Sequence, residues 1–299
     1  ISLEANPGTV ASDYFNGLRS VGFNRISFGV QSADERMLKF LDRIHTFEDV
    51  RRCVELARNA GLDNFNLDLI FGIPGQTLQV WEDTLRAVID LSPQHISAYA
   101  LGIEEGTPLD MWYRKGLIEP VDDDLAADQF DLAGKMFANA GFGHYEISNW
   151  SMTNRECRHN LAYWRNGNYL GLGPGAHGHY EGLRYSNLLA IPTYIKKMST
   201  HSLESLPVPC TPAAANHQQN DLTAELEDVL MCGLRLLNEG VDIAKIEADF
   251  QIDFRQKYEK QLTKLKKLEL VQENSGRLRL TTKGIFLGNQ VFREFIGVD

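Results

Sequence analysis

Short apolar runs alternate with amphipathic stretches over about the first 115 residues. The runs cover 1–5, 25–30, 65–71 and 95–101 and are rich in Ile, Val, Leu and Phe. Strands buried on both faces read this way. Between them, helical periodicity predicts elements at about 10–21, 46–60 and 77–91. The first ends near Gly22. The second has Thr46 as N-cap, Asp49 at the capping-box position and Gly61 after its end. Strands alternating with helices imply parallel βα units, in an open doubly wound sheet or a barrel. Either places loop chemistry at the C-terminal edge of the strands.

A further amphipathic helix is predicted over 122–141. Residues 145–178 then read as irregular, dense in Gly, His and aromatic residues. With Pro207, Pro209 and Pro212, residues 199–219 read as a linker or exposed loop. From about 220 the pattern predicts helices at 221–238, 242–249 and 253–268. A hairpin follows, with strands at 268–271 and 278–280 around Asn274-Ser275-Gly276, then a last helix from about 282. Three helices, a hairpin and a helix suggest a winged-helix-like domain. The expected organisation is thus 1–198, a linker at 199–219 and a helical domain at 220–299.

The 299 residues are 43% hydrophobic and 23% charged, which allows one large domain and one small one. A net charge of −10 disfavours general attraction to nucleic acid or an acidic membrane, while a local basic patch or peripheral membrane contact stays open. Cys53, Cys157, Cys210 and Cys232 have no close spacing and read as reduced, cytoplasmic cysteines. No apolar stretch is long enough to span a bilayer and no signal peptide is visible. Ile1-Ser2-Leu3-Glu4-Ala5 has no initiator Met and reads as a strand already under way, so an N-terminal truncation is expected.

Four polar residues fall at or just after predicted strand or helix ends: Glu4, Gln31, Arg43 and Asp68. A charge inside an apolar strand is costly unless it is paired or binds something. Two acids, an amide and an Arg complement a zwitterion carrying a ribose, with the Arg fork on its carboxylate. The competing reading is an internal ion pair of Arg43 with Asp68 or Glu4.

The strings Ser2-Leu3-Glu4-Ala5-Asn6-Pro7, Arg25-Ile26-Ser27-Phe28-Gly29-Val30-Gln31-Ser32 and Asn66-Leu67-Asp68-Leu69-Ile70-Phe71-Gly72-Ile73-Pro74-Gly75-Gln76-Thr77 resemble the oxygen-independent coproporphyrinogen III oxidase family of radical S-adenosylmethionine (SAM) proteins. Ser97-Ala98-Tyr99-Ala100-Leu101 and Glu105-Gly106-Thr107-Pro108-Leu109 do so too, and the resemblance runs through nearly the whole chain. It implies an incomplete parallel (β/α)₆ barrel, here lacking its first strands, with a C-terminal helical domain. It also implies that Glu4, Gln31, Arg43 and Asp68 contact SAM. The family's [4Fe–4S] cluster is held by Cys-x-x-x-Cys-x-x-Cys, a spacing this sequence does not contain. The cluster ligands are therefore expected upstream of Ile1, and the chain alone is expected to be inactive, with a partial SAM site and no bound cofactor.

Cys157-Arg158-His159-Asn160-Leu161-Ala162-Tyr163-Trp164 resembles the motif of the family's haem-chaperone branch, which binds haem and delivers it to acceptor proteins. On that resemblance His159 offers an imidazole to haem iron, while Tyr163 and Trp164 pack on the porphyrin. In the competing reading His159 bonds backbone and the aromatics fill a core. His177 reads as a second ligand or a turn residue, and Cys157 as a thiolate ligand or a buried thiol. Lys257, Lys260, Lys264, Lys266 and Lys267 make the third C-terminal helix basic. A DNA-reading regulator is one alternative function and coproporphyrinogen III decarboxylation another; the acidity of the chain favours a solvated lysine face over DNA binding.

Overall fold

The computed structural model describes residues 1–9, 12–200 and 206–298, in two compact units, Ile1–Glu156 and Cys157–Asp299. The division falls before Cys157, whereas the sequence places it at 199–219.

The first unit runs β1 (Ser2–Ala5), α1 (Ser12–Ser20), β2 (Arg25–Gln31), α2 (Glu35–Phe40), α3 (Phe47–Asn59), β3 (Phe65–Phe71), α4 (Leu78–Asp90), β4 (His95–Ala100), α5 (Pro108–Arg114), α6 (Asp123–Asn139), β5 (Gly143–Glu146) and β6 (Asn149–Ser151). The sheet order is β1-β2-β3-β4-β6-β5. The first four strands are parallel, and β6 joins β4 antiparallel. The β5–β6 hairpin lies in the stretch the sequence reads as irregular. Its strands have four and three residues, too short for period-two alternation to stand out.

Phe28 on β2 has no exposed surface and meets Phe15 and Phe65 edge-on, with ring centroids 6.2 and 6.3 Å away. The capping box forms at the start of α3: the Asp49 amide donates to Thr46 Oγ1 at 3.3 Å, and the Thr46 amide to Asp49 Oδ2 at 2.8 Å. Val50, Cys53, Val54 and Ala57 are the buried face of that helix, at helical spacing. After β3 the Ile73-Pro74-Gly75-Gln76 loop is clamped from below. Gln129 of α6 accepts from the Gly72 amide at 2.8 Å and donates to the Gln76 carbonyl at 3.1 Å.

The second unit runs α7 (Arg158–Trp164), β7 (His177–Tyr180), β8 (Leu183–Asn187), α8 (Ile191–Thr200), β9 (Ala214–Gln219), α9 (Leu222–Gly233), β10 (Val241–Asp242), α10 (Ile243–Phe250), α11 (Phe254–Lys257), α12 (Glu259–Lys267), β11 (Val271–Asn274), β12 (Arg277–Leu280), α13 (Thr282–Phe286) and α14 (Gly288–Arg293). Two three-stranded sheets form, β7-β8-β9 and β10-β12-β11. The expected linker is thus partly a strand: β9 pairs antiparallel with β8. Residues 201–205 of that expected linker lie outside the described residues. β9 carries Asn216-His217-Gln218-Gln219, a polar string with no apolar alternation to mark it.

Helices followed by a hairpin match the winged-helix-like expectation, with three changes. The short strand β10 adds a third strand to the hairpin. Helix α9 ends at Gly233, where an added Cβ would lie 2.9 Å from Val241 of β10. The predicted 253–268 helix breaks at Tyr258, whose ring packs between Phe254 and Phe295 at 5.1 and 5.3 Å. The Ser275-Gly276 turn has φ of 52° and 73° at its two central residues, the left-handed pair that a two-residue hairpin requires. Among the described residues no helix is long and apolar enough to cross a membrane.

Candidate functional site

Glu4 on β1, Gln31 at the end of β2 and Asp68 on β3 line one cleft of about 420 Å³, together with Ile70, Tyr99 and residues 100–102. Register explains the grouping: Glu4 pairs with Ser27 on β2, and Gly29, two residues on, pairs with Asp68. A shift between Gly29 and Gln31 then turns the β2 strand end. Gln31 has φ 66°, left-handed backbone that L residues adopt only under local constraint. The Ser32 amide closes a three-residue turn on the Val30 carbonyl at 2.8 Å, and His45 Nε2 meets that same carbonyl at 3.2 Å.

Arg43 stands in the loop between α2 and α3 and is not among the residues lining this cleft. Its Nε is buried without a hydrogen-bond partner. Among the described residues no ion pair joins Arg43 to Glu4 or Asp68, so the competing internal pair is not formed. A buried donor left unpaired costs free energy that a ligand acceptor would recover. The cleft and this donor therefore fit a ligand carrying both ammonium or hydroxyl donors and a carboxylate.

Asp68 is not bare. Its Oδ2 accepts from Ser27 Oγ at 2.7 Å and its Oδ1 from Asn66 Nδ2 at 2.8 Å. Behind them lie Ser97, His95 and Tyr145, all buried. Desolvation, with the Arg25 charge adding to it, pushes the His95 imidazole down to about 3. Sequence reasoning missed this layer. Its only trace is the polar residues Ser27, Asn66, His95 and Ser97 inside otherwise apolar strands.

In the second unit, His159 is exposed on α7, and no hydrogen bond to backbone is formed by its ring among the described residues. Tyr163, one helical turn on, meets it edge-on at 4.6 Å, and Tyr169 meets Tyr163 edge-on at 4.4 Å. Burial raises the phenols of both tyrosines above their ordinary range. Trp164 does not join this row. The Arg235 guanidinium sits over its ring at 4.2 Å, and it lines a different pocket with Arg165, Glu239 and Arg277. Consecutive helical residues point about 100° apart, so Tyr163 and Trp164 cannot share one face. Cys157 is the buried N-cap residue of α7 and carries no disulfide.

His177 is an exposed residue of β7, paired with Ser186, so it is neither in a turn nor in ring contact with His159. Glycines on either side of it serve close packing. A Cβ on Gly178 would fall 2.2 Å from the Tyr185 ring, and one on Gly171 would fall 2.3 Å from the His177 carbonyl. The Tyr185 hydroxyl in turn accepts from the Gly171 amide at 2.8 Å. Among the described residues no group of three or more His, Cys, Asp or Glu could hold a metal ion. The donors present therefore do not fit an iron–sulfur cluster.

Residues 1–88 match the radical SAM superfamily and residues 220–287 the HemN C-terminal domain. The haem chaperone HemW of Lactococcus lactis subsp. lactis (strain IL1403) is 32% identical over 295 residues, covering 99% of this chain and 75% of that protein. HemW of Bacillus subtilis (strain 168) is 31% identical over 296 residues, covering 99% and 76%. HemW of Escherichia coli (strain K12) is 44% identical over 180 residues, covering 60% and 46%. The solved coproporphyrinogen III oxidase HemN of Escherichia coli, a radical SAM enzyme, superposes with a TM-score of 0.81 at 20% identity, over 99% of this chain and 69% of that one. That likeness shows the fold. Identities of 31–32% over 99% of this chain and 75–76% of those two proteins show the family: the chain belongs to the HemW haem chaperones, within the HemN-like radical SAM proteins.

Proposed function

We propose that the residues of this chain supply a haem site on the α7 face of the second unit, for delivery to acceptor proteins, and part of a SAM site at the strand-end cleft of the first. The observation that carries the haem reading is the exposed His159 imidazole, which meets the Tyr163 ring edge-on. An accessible, unsatisfied imidazole beside an aromatic row supplies an axial nitrogen and an apolar wall for a porphyrin. Trp164, occupied by Arg235, is the weaker part of the sequence-based set and contributes to the support of α7.

For SAM, Glu4, Gln31 and Asp68 would take the ammonium and the ribose hydroxyls, and Arg43 the carboxylate. When bound with an iron–sulfur cluster, SAM supplies radical chemistry in this superfamily; the residues of this chain bind and orient it. The likeness to HemN does not favour decarboxylation, because at 20% identity it carries fold alone. Haem-acceptor proteins are the partners implied.

Haem titration followed by the Soret band tests the proposal. His159→Ala is expected to weaken binding about tenfold or more, the loss of one axial bond's worth of affinity. Trp164→Ala is expected to weaken it much less. Unchanged stoichiometric binding in His159→Ala removes His159 from the site.

A further inference from the structure

Asp68 is held by a hydrogen-bond network whose direction is forced. An ionised carboxylate only accepts, so the Asn66 group 2.8 Å from Asp68 Oδ1 is the NH₂. That NH₂ also lies 2.7 Å from Ser27 Oγ, whose own proton goes to Asp68 Oδ2. The Asn66 carbonyl oxygen must then accept. It faces His95 Nδ1 at 2.6 Å and Ser97 Oγ at 3.2 Å. His95 therefore carries its proton on Nδ1. Its Nε2 is left as an acceptor, and the Tyr145 hydroxyl lies 2.8 Å away to donate to it. The chain runs one way: Tyr145 to His95 to Asn66 to Asp68.

The members behind Asp68 are buried: His95 at 0%, Ser97 at 2%, Asn66 at 3% and Tyr145 at 6% exposure. Water cannot substitute for a lost partner there, and a half-satisfied buried network is costly. A reversed Asn66 amide would set its oxygen against the Asp68 carboxylate and its NH₂ against the His95 Nδ1–H. The orientation of the amide thus depends on which His95 nitrogen is protonated.

We propose that His95 and Tyr145 are positioning residues for the strand-end cleft: they fix the Asn66 amide, which with Ser27 aims the Asp68 carboxylate. Neither residue lines the cleft, and each acts through Asn66. The inference rests on the reading that Asp68 contacts SAM.

Two measurements on the whole chain test it, and they fail separately. Nitrogen-15 spectra of histidine-labelled protein are expected to show His95 protonated on Nδ1 and bare on Nε2. In Tyr145→Phe the second tautomer is expected to appear. A His95 protonated on Nε2 in the unaltered chain overturns the inference without reference to any ligand.

Equilibrium dialysis with SAM is the second measurement. His95→Ala is expected to bind SAM about tenfold more weakly, as for loss of one buried hydrogen bond to a binding group. His95→Asn keeps a donor near the Nδ1 position and is expected to recover most of that loss. If His95→Ala fails to fold, the comparison of His95→Asn with His95→Leu replaces it. Weak binding by Asp68→Asn with unchanged binding by the His95 variants overturns the inference alone. Unchanged binding by Asp68→Asn, or no saturable binding by the unaltered chain, overturns the SAM reading; the histidine tautomer then decides the network by itself.

Discussion

One buried imidazole and one half-buried one tie the stability of the first unit to pH. His95 is held down to about 3 by desolvation and the Arg25 charge, and His144 to about 4 by desolvation, against the pull of backbone hydrogen bonds. The His144 ring stacks on Trp150 at 4.0 Å, so a proton there has little access to water. In the unfolded chain both titrate near 6.5. Between 6.5 and those folded values the unfolded state binds more protons, so stability falls as pH falls through the window. It is undiminished above 6.5. Each imidazole contributes a slope of about 1.4 kcal/mol per pH unit within its window. Urea midpoints measured from pH 7 to 4.5 are expected to drop, and His144→Gln is expected to flatten the drop. Equal slopes for that variant and the unaltered chain would show that His144 titrates normally. At this scale the sequence displays the chemistry of Glu4, Gln31 and Asp68, since each is a polar residue where an apolar one is expected. It is silent on Arg43 standing outside the cleft lining, because a loop residue's direction is set by packing.

Element boundaries were legible where a cap fixes them. Thr46, Asp49 and Gly61 mark α3, and its observed span, Phe47–Asn59, lies one residue inside the predicted range at each end. Thr46→Ala is expected to cost about 1 kcal/mol and Thr46→Ser only a few tenths, read from urea midpoints. Asp49, whose carboxyl the Thr46 backbone amide and then its hydroxyl hold below the usual range, loses the hydroxyl but keeps the amide in the alanine variant. The sheet β7-β8-β9 was not legible as a whole, because its strands are short and β9, a polar string, meets β8 only through long-range pairing. Its glycine requirement is a tertiary fact as well. Gly178→Ala would drive a methyl into the Tyr185 ring and break the Tyr185–Gly171 bond, a loss of about 1–3 kcal/mol. A thermal midpoint matching the parent protein would mean that the ring moves aside freely.

For the molecule as a whole, charge argues against nucleic acid. The net charge is −10, and three of the five helix-region lysines are engaged. Lys264 pairs with Glu294 at 2.7 Å, Lys266 with Glu273 at 2.9 Å, and Lys257 donates to the Val298 carbonyl at 2.9 Å. Lys260 and Lys267 leave too few phosphate contacts for useful affinity. The chain is expected to pass through a DNA column at about 50 mM salt, where electrostatic binding is strongest. Salt-reversible retention there would reinstate the winged-helix regulator.

The resemblance of the motif strings pointed to the family, and local chemistry alone determined the parallel βα units, the capped helices and the hairpin at Ser275-Gly276. Those features are written in periodicities of two and 3.6 residues and in turn residues, all of which act between neighbours in sequence. Only the tertiary structure decided three others. It put the unit boundary before Cys157, because β9 returns to pair with β8 across the expected linker. It separated Trp164 from His159 and Tyr163, because adjacent helical positions face different surroundings. It also placed Tyr145 and His95, 50 residues apart in sequence, behind Asp68. A hydrogen-bond chain of that reach has no local signature, since its members meet only when the parallel pairing of β3 with β4 and the antiparallel β5–β6 hairpin set their register.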